Sequence, residues 1–520
     1  MALASPPEWG LPERFDSWRP GQAEAIERSL ACTNRYCAES APTGTGKSLL
    51  YMATALLTGY RTVILTATKG LQRQLAEDFK ELGLVSIMGK KNYPCSMRPG
   101  MTCDEGQTMG CPMKRKVQCP RQRAYIKMRM ARFIVTNYSY WIAENTYGHG
   151  FGDVEMLVLD EAHSAHNEIA QALQIYLSRK DVEEGFRVKF PPESASMYTW
   201  KSWAHEILPR VDLQVEYLKE RIGRSGEAMV SWLRDYNHTK RLRDKIRTVA
   251  SCRPEGWVIS PRGEYGFELD MVDLSAHGES VLFRGVPRVR FYSATVRPKT
   301  LTMLGVKEGE FEFHEHPTTF PPSALSVWWV PTLRVDRSVK PSDMGPWVTR
   351  CDQIIGRRLD RKGIVHTVSY DRQRLLTQRS AHSHLMVYNS RGDVTSEVVS
   401  EFKATAPPCL LVSPSVGTGY DFIDEQARYQ IVGKVPFPDS RRPVYRAREA
   451  LDKEYGAYCA MQDLVQMCGR STRSPFDRSE VFVIDDHISW AIRKHRDFAP
   501  NWFWNFWRGK SEVIPPPMEI

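Results

Sequence analysis

A run of small residues that ends in a lysine and a serine is the clearest candidate for chemistry in this sequence. It reads Ser40-Ala41-Pro42-Thr43-Gly44-Thr45-Gly46-Lys47-Ser48. Small residues let the backbone curl so that its N–H groups face phosphate oxygens. Lys47 would then reach the β- and γ-phosphates of a nucleotide, and the Ser48 hydroxyl would ligate Mg²⁺. We therefore predict that residues 43–48 bind a nucleoside triphosphate.

Two further motifs supply groups that phosphoryl transfer needs. In Leu157-Val158-Leu159-Asp160-Glu161-Ala162-His163, an apolar run ends in two adjacent carboxylates. Asp160 would hold Mg²⁺, and Glu161 would orient and deprotonate the attacking water. In Gln466-Met467-Cys468-Gly469-Arg470-Ser471-Thr472-Arg473, two arginines three residues apart share one face of a helix or turn. Arg470 and Arg473 would be arginine fingers from a second domain, or simply a solvated helix end.

These motifs must be positioned by regular elements, and short apolar runs supply them. Each run has four or five residues and is followed by a polar or small residue, a pattern typical of buried parallel strands. We predict strands at residues 61–65, 132–136, 156–160, 289–293, 363–366, 409–413 and 481–485. The expected architecture is α/β with open parallel sheets, and ligands bind at the carboxyl ends of such strands.

Two segments interrupt this alternation of strands and helices. Residues 90–132 are rich in Cys, Met, Gly, Pro and basic residues, and residues 170–255 have a helical pattern. Both are predicted to be insertions into a first α/β domain. A proline-rich stretch at residues 317–345 marks the boundary to a second α/β domain. The aromatic run from Trp502 to Trp507 is expected to pack the C-terminal tail onto that domain.

Four of the eleven cysteines are evenly spaced within the first of these insertions. Cys95, Cys103, Cys111 and Cys119 are separated by seven residues each. Four thiolates can hold one tetrahedral zinc ion or one [4Fe–4S] cluster. Zinc sites usually contain Cys-x₂₋₄-Cys pairs, and none occurs here. Spacing alone leaves zinc, a cluster and four unligated thiols as alternatives.

Charge is concentrated in the same insertion. Residues 90–132 contain eleven basic and two acidic side chains, while the whole 520-residue chain has a net charge of +10. Such a segment attracts a phosphate backbone, unless it is only a solvated basic loop. Five aromatic residues close to these charges either stack on bases or belong to the core. They are Tyr93, Tyr125, Tyr138, Tyr140 and Trp141.

The composition and the N-terminus argue against secreted and membrane classes. The hydrophobic fraction of 42% and the charged fraction of 25% are ordinary for globular proteins. We find no basic and apolar leader at the N-terminus. No stretch approaches the roughly 20 apolar residues that span a bilayer. The expected compartment is therefore the cytoplasm.

Taken together, the motifs resemble those of superfamily 2 helicases. Arg19-Pro20-Gly21-Gln22 resembles the adenine-recognising Gln motif, and Thr66-Ala67-Thr68 resembles motif Ia. Tyr292-Ser293-Ala294-Thr295 resembles motif III, and Gly417-Thr418-Gly419-Tyr420-Asp421 resembles motif V. Gly89-Lys90-Lys91-Asn92-Tyr93-Pro94-Cys95 and Thr136-Asn137-Tyr138 are similar to features of the XPD/DinG group. That group carries an iron–sulfur insertion between motifs Ia and II and a helical arch between motifs II and III. The two insertions of this chain fall at those places.

The resemblance covers about residues 15–490 and implies two RecA-like domains that bind ATP and Mg²⁺. Domain 1 would comprise residues 1–89, 126–170 and 256–315, with an iron–sulfur insertion at 90–125 and a shortened arch at 171–255. Domain 2 would comprise residues 320–520. Gln22, Gly419 and Asp421 would contact the nucleotide, Gln466 would join Arg470 and Arg473 in catalysis, and His163 would link the two domains. The four cysteines would hold a [4Fe–4S] cluster, in agreement with Pro120 directly after Cys119.

The activity that the resemblance implies is 5′→3′ translocation on single-stranded DNA with unwinding of forked duplexes, by a monomer without a membrane partner. Three alternatives remain open at this point. Superfamily 2 motors that share these motifs include RNA-directed ATPases. The protein could also be a DNA translocase or remodeller that does not unwind alone. A non-catalytic recruitment module is disfavoured because Lys47, Asp160, Glu161, Arg470 and Arg473 are all present.

Overall fold

The computed structural model describes residues 4–108, 111, 118–223, 229–336, 338–390, 394–417, 419–422, 424–472 and 476–519. Arg473 lies outside the described residues. The strands are β1 (Tyr36–Ser40), β2 (Thr62–Thr66), β3 (Val85–Ser86), β4 (Phe133–Asn137), β5 (Met156–Asp160), β6 (Ile175–Ser178), β7 (Trp257–Pro261), β8 (Gly266–Met271), β9 (Arg288–Ser293), β10 (Phe311–Glu315), β11 (Leu325–Leu333), β12 (Gly363–His366), β13 (Met386–Val387), β14 (Leu410–Ser413), β15 (Tyr429–Val432), β16 (Ser479–Asp485) and β17 (Trp507–Lys510).

The α-helices alternate with these strands through most of the chain. They are α1 (Gln22–Ala31), α2 (Lys47–Thr58), α3 (Lys69–Asp78), α4 (Cys103–Thr108), α5 (Pro120–Met130), α6 (Tyr138–Tyr147), α7 (Ala165–Leu173), α8 (Met197–Gly223), α9 (Met229–Ser251), α10 (Pro298–Met303), α11 (Gly345–Gly356), α12 (Tyr370–Arg379), α13 (Thr395–Ala404), α14 (Pro443–Leu451), α15 (Tyr455–Cys468) and α16 (His487–His495).

Two parallel seven-stranded sheets form the centres of two RecA-like domains. The first has the order β10-β1-β9-β5-β2-β4-β3, and the second has the order β13-β14-β12-β15-β16-β11-β17. The predicted α/β class and parallel sheets are confirmed, and all seven predicted strands are present with ends shifted by at most two residues. Strands β1, β2 and β5 are buried along their whole length, because helices cover both faces of the sheet.

A third, antiparallel sheet belongs to the helical insertion, which we define as α8, α9 and strands β6, β7 and β8. The sheet order is β6-β8-β7. Trp200 and Ile246 of the helices share a core with Trp257 and Phe267 of the strands. The sequence places residues 256–271 in the last part of domain 1, but the structure packs β7 and β8 against the helices. Short amphipathic strands that bury one face against helices give only a weak periodic signal.

The aromatic C-terminal run extends the second sheet. Residues 501–505 form a 3₁₀ turn, and β17 then pairs with β11 at the sheet edge. Trp502, Phe503 and Phe506 are buried in the core that contains α15. Within the described part of the chain, no helix is both long and apolar enough to cross a membrane.

Candidate nucleotide site and cysteine insertion

The loop between β1 and α2 has the backbone that a phosphate-binding loop requires. Gly44 has φ +81° and Gly46 has φ +74°, a left-handed conformation that a Cβ atom disfavours. Gly46 is the N-cap of α2, and Lys47 and Ser48 occupy the first turn of that helix. Free N–H groups and the helix dipole at this terminus both favour a bound phosphate.

Gln22 supports this loop from behind. Its side-chain Nε2 donates to the carbonyl oxygen of Thr45 at 2.6 Å, and its Oε1 accepts from the backbone N–H of Arg19 at 2.8 Å. Thr45 also donates its hydroxyl to the carbonyl of Pro42 at 2.7 Å. Since Gln22 is buried and both ends of its amide are used within the protein, its first role here is to hold the loop. Adenine recognition by Gln22 stays a prediction.

Asp160 and Glu161 stand at the carboxyl end of β5, beside this loop. Asp160 is buried, and Glu161 adopts φ +52°, which turns its side chain towards the next motif. Burial and the adjacent Glu161 charge raise the pKa of Asp160 well above its usual range. Burial alone would also raise the pKa of Glu161, but Lys47 and His163 outweigh it and hold that pKa well below its usual range. Lys47 therefore acts electrostatically on both carboxylates.

A chain of hydrogen bonds runs from Glu161 to the second domain. Ser293 at the end of β9 lies 3.4 Å from Glu161 Oε2 and 2.8 Å from His163 Nδ1. Gln466 of α15 approaches the same His163 nitrogen at 3.5 Å and donates to the Thr295 hydroxyl at 3.2 Å. Because Gln466 belongs to the second domain, these contacts connect the predicted catalytic carboxylate to the other side of the domain interface.

Arg470 lies one helical turn beyond Gln466 and is held mainly by its own domain. Its guanidinium donates to the Gly417 carbonyl at 3.0 Å, the Tyr420 carbonyl at 3.2 Å and the Asp421 carboxylate at 3.3 Å. It also donates to Gln466 Oε1 at 3.2 Å. Burial lowers the pKa of Arg470, and the Glu161 charge opposes that shift. Arg470 is therefore fixed in place by its own domain, near enough to Glu161 for the two charges to interact.

The two domains enclose a cleft of about 1060 Å³. The structure brings most of the predicted nucleotide and catalytic residues to its wall: Gly44, Gly46, Lys47, Ser48, Asp160, Glu161, Gly419, Asp421 and Arg470. Gln22, Thr43, Thr45 and Gln466 are outside this lining. Thr43 nevertheless faces the second domain, since a Cβ atom on Gly469 would lie 3.8 Å from it.

Two contacts at this site were not anticipated from the sequence. The Phe320 ring, from the segment between the domains, packs directly on Gly44. The Trp502 indole donates to the carbonyl of Ala294, between Ser293 and Thr295, at 3.0 Å. The prolines next to Phe320 indicate a connecting segment that reverses direction there. No motif in the sequence predicts the contact between Trp502 and Ala294.

Comparison with known proteins supports the same assignment. Residues 19–194 match the DEAD/DEAH box helicase family, and residues 356–505 match the helicase C-terminal domain family. A solved XPD helicase superposes with a TM-score of 0.68 at 13% identity, covering 95% of this chain and 99% of that one. This chain is a DEAD/DEAH box helicase with the fold of the XPD helicases. Membership of this helicase family makes it an ATP-dependent enzyme and implies Mg²⁺ and a nucleic-acid substrate.

Other XPD structures share the fold of this helicase. An apo XPD structure aligns with a TM-score of 0.60 at 14% identity, covering 95% of this chain and all of that one. The S. tokodaii Xpd4 structure aligns with a TM-score of 0.58 at 11% identity, covering 91% and 97% respectively. No curated protein matches the sequence of this helicase.

The cysteine insertion, residues 90–125, brings its four cysteines into one region. The antiparallel bridge between Pro94 and Thr102 sets the backbone of Cys95 opposite Met101 and that of Cys103, which begins α4, opposite Tyr93. Cys119 is the N-cap of α5, two residues before Arg121. Burial raises the pKa of Cys103 to about 11, with further contributions in the same direction from Cys119 and Cys111. Cys111 and Cys119 therefore lie in the neighbourhood of Cys103.

The four thiols of the insertion supply the donor set that a metal cluster needs. Cys103 and Cys119 are buried, and Cys95 and Cys111 are partly exposed. Among the described residues, no three of these sulfur atoms lie within 4.8 Å of one another. Four sulfurs on one zinc ion would lie about 3.8 Å apart. The fit of a [4Fe–4S] cluster therefore rests on the chemistry of four thiolates within one insertion, not on a preformed geometry of their sulfur atoms.

The structure also decides between alternatives for the neighbouring side chains. Tyr138 and Trp141 are buried in the core of domain 1, and Tyr140 hydrogen-bonds to Arg121 at 2.6 Å. These aromatic residues are therefore core residues that cannot stack on bases without unfolding. Arg121 also lies 3.5 Å from Glu144, so its charge is compensated inside the protein. Lys114, Arg115 and Lys116 lie outside the described residues.

Proposed function

We propose that this helicase translocates 5′→3′ on single-stranded DNA as a monomer and couples ATP hydrolysis to the unwinding of forked duplexes. The observation that carries the proposal is the linkage of Glu161 to Gln466 and Arg470 across the interdomain cleft. Such a linkage allows nucleotide state to control how the two domains close. The choice of DNA and the polarity follow from the resemblance to the XPD/DinG group.

Within this proposal, each nucleotide residue has a separate role. Lys47 neutralises charge on the β- and γ-phosphates, while Ser48 and Asp160 would hold Mg²⁺, which offsets charge on the same phosphates when bound. Glu161 orients the water for attack and accepts its proton. Arg470 compensates charge that develops on the transferred phosphoryl group as the cleft closes. The role of Arg473 as a second arginine finger and that of Gln22 as a contact to adenine remain predictions.

We further propose that Cys95, Cys103, Cys111 and Cys119 hold a [4Fe–4S] cluster. Such a cluster, when bound, cross-links the segments that carry its ligands and stabilises the insertion. The insertion lies beside the helical insertion, since α4 contacts α9. This placement supports the idea that the cysteine insertion meets the duplex at the fork and separates its strands.

Strand separation on two labelled duplexes tests the proposal. One duplex carries a 5′ single-stranded tail and the other a 3′ tail, each with and without ATP, with the Lys47→Ala variant as the matched control. Opening of the 5′-tailed duplex alone is the expected result. Opening of the 3′-tailed duplex alone would contradict the polarity. If neither opens while ATP is hydrolysed on single-stranded DNA, the protein is a translocase or remodeller.

A parallel measurement decides the nucleic acid. ATP turnover is compared with single-stranded DNA and single-stranded RNA of the same length and sequence. Stronger stimulation by DNA is expected. Stronger stimulation by RNA would identify the helicase as an RNA-directed ATPase instead.

A further inference from the structure

Three metal-binding side chains converge on the edge of the first sheet, away from the cysteine insertion. Cys37 and Glu39 are two residues apart on β1, so their side chains point to the same face of the sheet. Glu39 pairs with His314 of the edge strand β10 in the sheet register. One ligand atom from each of Cys37, Glu39 and His314 lies within 4.8 Å of the other two. Thiolate, carboxylate and imidazole together are donors that zinc prefers.

Burial and hydrogen bonding organise these donors. Cys37 and Glu39 are both fully buried. The Cys37 thiol lies 3.8 Å from Glu39 Oε1, while the other carboxylate oxygen pairs with His316 Nε2. His316 in turn lies 3.3 Å from Arg28 of α1. Outer partners of this kind orient the ligands of metal sites.

His314 contributes a second, independent sign of a ligand. Its Nε2 is shielded from solvent and makes no hydrogen bond to any described residue, although Glu312 Oε2 lies 3.5 Å away. A shielded ring nitrogen without a hydrogen bond is costly unless something else satisfies it. A metal ion would accept that lone pair, or the one on the other ring nitrogen.

Cys32 is a candidate fourth donor from outside this group of three. It is the C-cap of α1, and its thiol is near enough to the Cys37 thiol for the two to influence each other's pKa. Its side chain also contacts the carbonyl of Asn34 at 3.6 Å. The ligand atoms of Cys37, Glu39 and His314 lie at most 4.8 Å apart. Each would need to move by only about 1 Å to bind one ion at the usual zinc–sulfur distance of about 2.3 Å and zinc–nitrogen distance of about 2.0 Å.

We propose that Cys37, Glu39 and His314, completed by Cys32, bind one divalent ion of the zinc class. The site would join three elements: the end of α1, the strand β1 and the edge strand β10. Because β1 leads into the phosphate-binding loop, the ion would stiffen the base of the nucleotide site without touching the nucleotide. The expected role is stabilisation of the domain, since the free energy of metal binding adds to that of folding.

Cobalt titration of the full-length chain tests this proposal. Co²⁺ substitutes for zinc and gives a thiolate-to-metal charge-transfer band, which reports sulfur ligation directly. The starting protein carries Cys103→Ser and Cys119→Ser, so that the cysteine insertion cannot supply a complete ligand set. One equivalent of Co²⁺ with this band is expected. Adding Cys37→Ser or His314→Gln should weaken binding by more than about 100-fold, because loss of a ligand exceeds the 10–100-fold effect of outer partners.

A cysteine variant far from the proposed site serves as the control for cobalt binding. Cys351→Ser, at a buried cysteine of the second domain, should leave the cobalt band unchanged. If Cys37→Ser does not fold, His314→Gln serves alone, because His314 is partly exposed on an edge strand. Absence of the band in the starting protein, or a band that His314→Gln leaves unchanged, would overturn the proposal. Neither result bears on unwinding, so this test and that of the proposed function fail separately.

Discussion

Gln466 of the second domain donates to the hydroxyl of Thr295 in the first domain at 3.2 Å, while its carbonyl oxygen accepts from Arg470. The Gln466 amide thereby links Thr295, which follows Ser293 and Ala294, to Arg470, the candidate arginine finger. Both Gln466 and Thr295 are buried, so neither hydrogen bond is readily replaced by water.

We expect Gln466→Met to reduce nucleic-acid-stimulated ATP turnover by about 10- to 100-fold. The variant keeps the side-chain length but removes one of the acceptors of Arg470 and the amide donor to the Thr295 hydroxyl, at roughly 1–3 kcal/mol for each buried group. Steady-state ATPase assays with Thr295→Val and with the double variant complete a mutant cycle. If Gln466 and Thr295 are coupled, the double variant should hydrolyse ATP no more slowly than the slower of the two single variants. Simple multiplication of the two effects would show that the contact does not carry coupling.

Lys47→Ala and Glu161→Gln are each expected to lower ATP turnover by at least about 100-fold while leaving single-stranded DNA binding within a few-fold. Lys47 acts on both cleft carboxylates and on phosphate, and Glu161 is the proposed base. ATPase assays and fluorescence-anisotropy binding measure the two effects. Lys80→Ala is the control, because Lys80 is largely exposed beside Glu77. Full turnover in either cleft variant would refute the assignment.

Replacing Cys103 by serine should remove bound iron and impair unwinding by about tenfold or more, with a smaller loss of ATP hydrolysis. Cys103 begins α4 within the insertion, whereas the ATP cleft lies between the two sheets. Iron content and visible absorbance of anaerobically purified protein are the readouts, beside unwinding rates. Cys409→Ser, at a buried cysteine of the second domain, should retain iron. Wild-type protein purified in this way without iron would contradict the cluster.

Trp502→Phe isolates the hydrogen bond to Ala294 from aromatic packing. The variant retains a ring in the same core but leaves the Ala294 carbonyl without its donor. We expect the free energy of unfolding to fall by about 1–2 kcal/mol, together with a lower ATPase rate, because Ala294 lies between Ser293 and Thr295. Chemical denaturation and ATPase assays measure both. Trp504→Phe, at a partly exposed position beside Arg496, should change neither by as much.

The residues of the candidate nucleotide site could be proposed from the sequence because each motif is contiguous and its chemistry is local. Glycines at positions 44 and 46 need a left-handed backbone, and an apolar strand delivers Asp160 and Glu161 together. Parallel strands buried on both faces form uninterrupted apolar runs. For these reasons the two sheets and most of the cleft wall follow from short stretches of sequence.

Tertiary structure alone decided which side chains meet across long separations. The fold buries Trp141 in the core, where it cannot stack on a base of a nucleic acid. It also places Glu144 beside Arg121, so that the two charges compensate each other. It joined Gln466 to Thr295, and it brought Cys37 and Glu39 beside His314. Burial and pairing depend on how strands are ordered in a sheet and how two domains face each other. That order arises from the packing of the whole chain, which no local pattern of residues encodes.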